Sequence, residues 1–168
     1  AYLMLGAMYL QQGRGDAALQ EYQRVTAPPS SRVAALTMQG VILESQHKVA
    51  EAQKAYASAV ELDKRAVVAA NNLAWLYVEA NQNLETALQL AQTAAAERPD
   101  DPIIADTLGW AFYRKGMSSK AVQFLRQSAD KEPRNAVILF HLGMAYFADG
   151  NFTDAKSTLL KALAIDPA

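Results

Sequence analysis

A pattern of small, aromatic and large apolar residues recurs at a fixed 34-residue offset in this 168-residue chain. Leu108-Gly109 is matched by Leu142-Gly143, Phe112 by Tyr146, Gly116 by Gly150, Ala121 by Ala155, Leu125 by Leu159 and Pro133 by Pro167. A period of this length marks a protein built from repeated supersecondary units, each burying its apolar face only by stacking on its neighbours. Within a unit, glycine and alanine suit the places where two helices cross closely. The terminal proline, lacking an N–H, stops the second helix.

The spacing Leu-Gly-x-x-aromatic, then Ala-x-x-x-large apolar, then Pro resembles the tetratricopeptide repeat. The resemblance implies an all-α, right-handed α-solenoid of antiparallel helix-turn-helix units, each with a helix A and a helix B. Five repeats account for the length. Residues 1–32 form the first, truncated at its start, with Leu5-Gly6, Tyr9, Gly13, Ala18 and Tyr22. Its early Pro28-Pro29 predicts a short helix B. Residues 33–66 form the second, with Gly40, Ala52 and Tyr56, but Gln39 where leucine is usual and His47 in place of the turn glycine. Residues 67–101 form the third, which carries one extra turn residue in Asn81-Gln82-Asn83; asparagine tolerates positive φ and can replace glycine there. Residues 102–135 and 136–168 form the fourth and fifth, and no capping helix follows. The first helix A lacks a capping residue before it, so the chain is expected to be a piece of a longer protein. The expected core is Leu73, Tyr77, Leu108, Phe112, Leu142 and Tyr146, with Ala52, Ala87, Ala121 and Ala155 at close helix contacts.

Composition narrows the function classes. Apolar residues make up 51% and charged residues 20% of the chain, the balance of ordered, water-soluble material. A formal charge of −1 gives no footprint for nucleic acid or an anionic membrane surface. No apolar run is long enough for direct membrane insertion as a spanning helix. With no cysteine, disulfides and thiol chemistry are excluded.

Little points to catalysis, to a cofactor or to a metal. His47 and His141 stand in different repeats and neither opens a metal-ligand spacing. Gly13-Arg14-Gly15 reads as an interhelical turn, not a phosphate loop, and Asp100-Asp101 as a helix N-terminus that accepts negative charge. No nucleophile elbow or paired-carboxylate arrangement is present.

In tetratricopeptide proteins the A helices line a concave groove. Carried onto this chain, the groove positions collect Asn72 and Trp75 in the third repeat, Asp106, Trp110, Tyr113 and Arg114 in the fourth, and Phe140, His141, Met144 and Phe147 in the fifth. Tryptophan and tyrosine anchor binding surfaces and methionine adapts to varied partners. Asn72 stands where this family can hydrogen-bond the backbone of an extended peptide. The basic pair of a carboxylate clamp is missing, since Asn71/Asn72, Asp106/Thr107 and Phe140/His141 occupy its places. Arg114, with Arg134 in the following loop, can still pair with one acidic residue of a ligand.

The expected function is a non-enzymatic scaffold that binds an apolar helical or extended segment of a protein or peptide partner in this groove. Two other classes stay open: self-association through apolar ends around Leu3, Met4, Leu159, Leu160 and Leu163, giving a homo-oligomer, and service as the substrate-selecting arm of a larger enzyme. The wording Asn71-Asn72-Leu73-Ala74-Trp75 and Asp106-Thr107-Leu108-Gly109-Trp110 is similar to bacterial tetratricopeptide proteins of cell-envelope and exopolysaccharide systems. That similarity implies a periplasmic or envelope-associated setting ahead of a cytoplasmic one.

Overall fold

The computed structural model describes residues 1–167 and is all-helical, with ten helices and no strand among them. In order they are α1 (Tyr2–Gln11), α2 (Gly15–Gln23), α3 (Pro29–Ser45), α4 (Val49–Leu62), α5 (Val67–Glu79), α6 (Leu84–Glu97), α7 (Pro102–Arg114), α8 (Ser118–Lys131), α9 (Ala136–Ala148) and α10 (Phe152–Ile165). No helix among the described residues is long and apolar enough to cross a membrane. The chain divides into two compact units, Ala1–Leu76 and Tyr77–Ala168.

Local chemistry sets the helix ends. Asp101 and Asn135 accept hydrogen bonds from the free N–H groups opening α7 and α9, and Asn151 does so for α10. The turns after α1, α7 and α9 close through Gly13, Gly116 and Gly150 with φ of 70°, 73° and 82°. The asparagine turn behaves as its composition predicts, with Asn81 and Asn83 at φ of 52° and 48°. His47 takes the same left-handed conformation at φ 60°. Helices α6, α8 and α10 each stop two residues before Pro99, Pro133 and Pro167.

One boundary moves. Helix α2 is short, as expected, but ends at Gln23, well before the prolines. Pro29 instead opens α3, where its fixed φ suits the first helical turn and its missing N–H costs nothing. The division at 32/33 therefore falls inside a helix.

Unit 1 packs α1 on α2 and α3 on α4, around Ala18, Tyr22, Ala35 and Ile42. Unit 2 packs α7 on α8 and α9 on α10 around Leu108, Phe112, Leu125 and Leu142. Tyr77 and Tyr146, counted toward the core from sequence, are only half-buried. The alanines Ala52, Ala87, Ala121 and Ala155 are buried as expected. Ser128, fully buried, donates to the Pro102 carbonyl at 2.7 Å and so ties α8 to the start of α7.

The glycines of α1, α3, α7 and α9 each have a definite partner across the hairpin, while α5 carries Ala74 at the matching place. A Cβ at Gly6 or Gly40 meets the ring of Tyr22 or Tyr56, and at Gly109 or Gly143 the side chain of Leu125 or Leu159, all at 2.4–2.8 Å. The space that glycine leaves is thus filled by the large residue four positions after the conserved-spacing alanine.

Tyr56 is fully buried, and its hydroxyl donates to Glu44 Oε2 at 3.0 Å while accepting from Asn72 Nδ2 at 3.1 Å. Burial, chiefly, pushes its phenol far above the ordinary 10.0, with Glu44 adding to the rise and the Asn72 hydrogen bond opposing it. Burial raises Tyr22 and Tyr146 as well. A raised phenol keeps its proton when folded and loses it sooner when unfolded. Its stabilisation is therefore complete below about pH 10 and declines as pH climbs above that value. Tyrosinate absorbance should show these three of the seven tyrosines titrating late or only on unfolding, while the urea midpoint falls. Seven tyrosines titrating together with an unchanged midpoint would refute this.

Candidate interaction site

In unit 2 the A helices α7 and α9 bring most of the sequence-derived site residues together. Asp106, Trp110, Tyr113 and Arg114 lie at helical spacing on one face of α7. Trp110 is the hub. Its ring stacks on Tyr113 at 4.5 Å and on His141 at 4.2 Å, and Phe140 stands tilted 6.4 Å away. Its indole N–H donates to Glu79 Oε1 at 3.0 Å. Asp106, one turn before Trp110, holds His141 Nδ1 at 2.9 Å.

Three of the groove positions carried over from the resemblance are closed to solvent. Asp106, Trp110 and His141 are only 7%, 7% and 4% exposed, so they form a floor. The physical reason is mutual satisfaction: the indole N–H, the carboxylate and the imidazole each find a partner within the fold, which makes their burial affordable. Asn72 is likewise committed, since its amide nitrogen serves Tyr56 in unit 1. Trp75, also in unit 1, is half-buried. Neighbouring Asn71 is buried with its Oδ1 lacking a hydrogen-bond partner among the described residues.

What stands open lies on α9. Val137, Phe140 and Phe147 are 54%, 46% and 59% exposed, and Met144 is half-buried between them. At 3.6 residues per turn these four positions fall within an arc of about 80°, a continuous apolar stripe. Ile103, near the start of α7, adds another open apolar side chain. Phe147 also meets Phe152 edge-on at 5.3 Å. Tyr113 and Arg114 are half-buried.

Glu79 is the residue whose role sequence reasoning passed over. The signal was present in its register: it ends the helix A of one repeat, and the tryptophan it serves belongs to the helix A of the next. Among the described residues no group of three or more His, Cys, Asp or Glu gathers as a metal site.

A buried polar-aromatic floor carrying an exposed apolar stripe, on stacked helical hairpins, defines a repeat scaffold of the protein-interaction class. The chain belongs to the tetratricopeptide-repeat family: residues 1–111 match the tetratricopeptide repeat protein 21 C-terminal ARM domain and residues 112–168 match a tetratricopeptide repeat model. It is 28% identical over 108 residues to TPR repeat-containing protein PA4667 of Pseudomonas aeruginosa, covering 64% of this chain and 18% of that protein. Cellulose synthase operon protein C of Escherichia coli K12 is 36% identical over 81 residues, which is 46% of this chain and 7% of that protein. The chain thus spans less than a fifth of the length of these curated relatives. Among solved structures, MamA from Desulfovibrio magneticus RS-1 superposes with a TM-score of 0.80 at 16% identity, covering 99% of this chain and 93% of that one. YrrB, described as a TPR protein with an unusual peptide-binding site, gives 0.79 at 20% identity, covering 99% and 85%.

Proposed function

We propose that this chain is a non-catalytic scaffold that binds an apolar segment of a partner protein along the stripe Val137, Phe140, Met144 and Phe147. The observation that carries the reading is that open stripe, with Phe140 standing beside the buried, mutually bonded cluster of Trp110, His141 and Asp106. A preformed floor lowers the ordering cost of binding, and exposed phenylalanine and methionine supply apolar contact area. An amphipathic helix with apolar residues at i, i+3 or i+4, and i+7 matches the stripe's own spacing.

The test is selection of a random phage-displayed peptide library on the whole chain, followed by binding of the selected peptides to Phe140→Asp/Met144→Asp. Both side chains reach solvent, so this variant should keep its circular dichroism spectrum. Peptides with spaced apolar residues are expected to emerge and to bind the variant at least about thirtyfold more weakly, the scale of a lost interface hot spot. Affinity unchanged in the folded variant would sink the reading.

A further inference from the structure

A cleft of about 380 Å³ opens in unit 2 between α8 and α10, with α9 at its base. Its α9 residues, Leu139, Leu142 and Tyr146, lie roughly 150° round that helix from the stripe of Val137, Phe140, Met144 and Phe147. The two surfaces are therefore distinct. We propose that this cleft binds a saccharide of mono- or disaccharide size, met by the Tyr146 and Thr158 hydroxyls at its base and by side chains of both charges at its rim. The volume falls in the lower part of the range of small-molecule sites, about 300–1,000 Å³.

The key side chain is Thr158. It is only 8% exposed, yet its hydroxyl makes no hydrogen bond among the described residues. Thr37, Thr93 and Thr107, also inside helices, each donate to the carbonyl four residues back. Thr158 takes no such local partner, and it lines the cleft. Tyr146 is half-buried and lines the cleft too, with a phenol hydroxyl equally without a hydrogen bond among the described residues. Burial chiefly raises that phenol, and Arg126, Asp154 and Asp130 each lie close enough to act on it as well. Polar groups drawn this far out of solvent are normally satisfied, so two free hydroxyls in one cleft mark a place for polar groups that enter from outside.

The rest of the lining selects the chemistry. Arg126 and Lys161 are offset by Asp130 and Asp154, so the cleft has no net charge with which to attract an ion. Arg126, Asp130 and Lys161 make no ion pair or hydrogen bond among the described residues, while Asp154 Oδ2 accepts from the Asn151 amide at 2.7 Å. Donors, acceptors and hydroxyls thus share one cleft with the apolar carbons of Leu139 and Leu142. A sugar ring presents the matching surface, a rim of hydroxyls, each both donor and acceptor, around an apolar face of C–H groups. Its hydroxyls also replace water group for group, which keeps the cost of desolvating the cleft low. An extended peptide finds less here, because helices offer no free backbone edge for it to pair with.

Saturation-transfer NMR on the whole chain with maltose, cellobiose, lactose and N,N′-diacetylchitobiose provides the test, followed by titration of each sugar that binds against Tyr146→Phe/Thr158→Val. The two substitutions remove only hydroxyls that no other described residue uses, so the variant should melt as the wild type does. At least one disaccharide is expected to bind, and its affinity to fall at least about tenfold in the variant, the scale of two lost hydrogen bonds. Phe140→Asp/Met144→Asp should bind that sugar as the wild type does. No transfer to any of these sugars at millimolar concentration, or binding indifferent to Tyr146→Phe/Thr158→Val, would overturn the inference and leave the apolar stripe untouched. Should the variant melt lower, backbone chemical shifts of the wild type decide: sugar-induced changes must centre on α8 and α10, and changes confined to other helices overturn the assignment. Library-selected peptides that lose affinity in Tyr146→Phe/Thr158→Val but not in Phe140→Asp/Met144→Asp would make the cleft a peptide site, against both this inference and the stripe.

Discussion

Tyr56→Ala is expected to destabilise unit 1 by about 3–5 kcal/mol, the cost of emptying a fully buried aromatic site. Two roles converge on this one side chain. The ring fills the space that Gly40 leaves, with ring atoms 2.4–2.7 Å from where a Cβ on that glycine would stand. Its hydroxyl bridges Glu44 of α3 and Asn72 of α5. Alanine therefore opens a cavity at the α3–α4 crossing and strips two polar groups of their partner. Tyr56→Phe separates these contributions, since it keeps the ring and removes only the bridge, at about 0.5–1.5 kcal/mol. Urea unfolding followed by circular dichroism checks both. Equal losses for the two variants would show that the hydrogen bonds, not the packing, hold this hairpin together.

The second large effect is expected at Gly109, where leucine should cost about 3 kcal/mol, the upper end of ordinary overpacking. A Cβ there already lies 2.6 Å from Leu125 Cγ and 3.1 Å from the Leu125 backbone nitrogen. The side-chain atom can shift a little; the backbone nitrogen moves only if α7 and α8 separate. Leucine would add three more carbons to space held by a fully buried neighbour. The direction is informative because intrinsic propensity points the other way, favouring non-glycine residues in a helix by up to about 1 kcal/mol. Gly109→Ala should still lose stability, and in a Leu125→Ala background that loss should shrink or vanish, giving a coupling of about 1 kcal/mol or more. A Gly109→Ala variant more stable than wild type would mean that the crossing is looser than these distances imply.

Both cases mark the border between what is written locally and what is not. The interhelical turns were legible because backbone conformation at a single residue selects them: glycine at Gly13, Gly116 and Gly150, asparagine at Asn81 and Asn83. The all-α repeat architecture was legible because the 34-residue period repeats one local unit, and a unit too small to fold alone has to stack. The glycines announced close crossings. That Tyr22 and Tyr56 fill them in unit 1, and Leu125 and Leu159 in unit 2, depends on which residue of the opposing helix comes to face each glycine.

The candidate site divides along the same line. Its residues were legible from register, because Asp106, Trp110, Tyr113 and Arg114 share a face of α7 wherever that helix sits. Which of them reach solvent was decided only by tertiary structure. Helix α9 lies against α7 so that His141 meets Asp106 and covers Trp110, while Phe140 and Phe147 stay open. Burial is a property of neighbours distant in sequence, 35 residues apart in the Asp106–His141 pair, and no periodicity within one helix can report it. The sequence alone determined the repeat, its helices and which residues share a face of each helix; the packing of one repeat on the next decided which of those side chains are buried and which stay open.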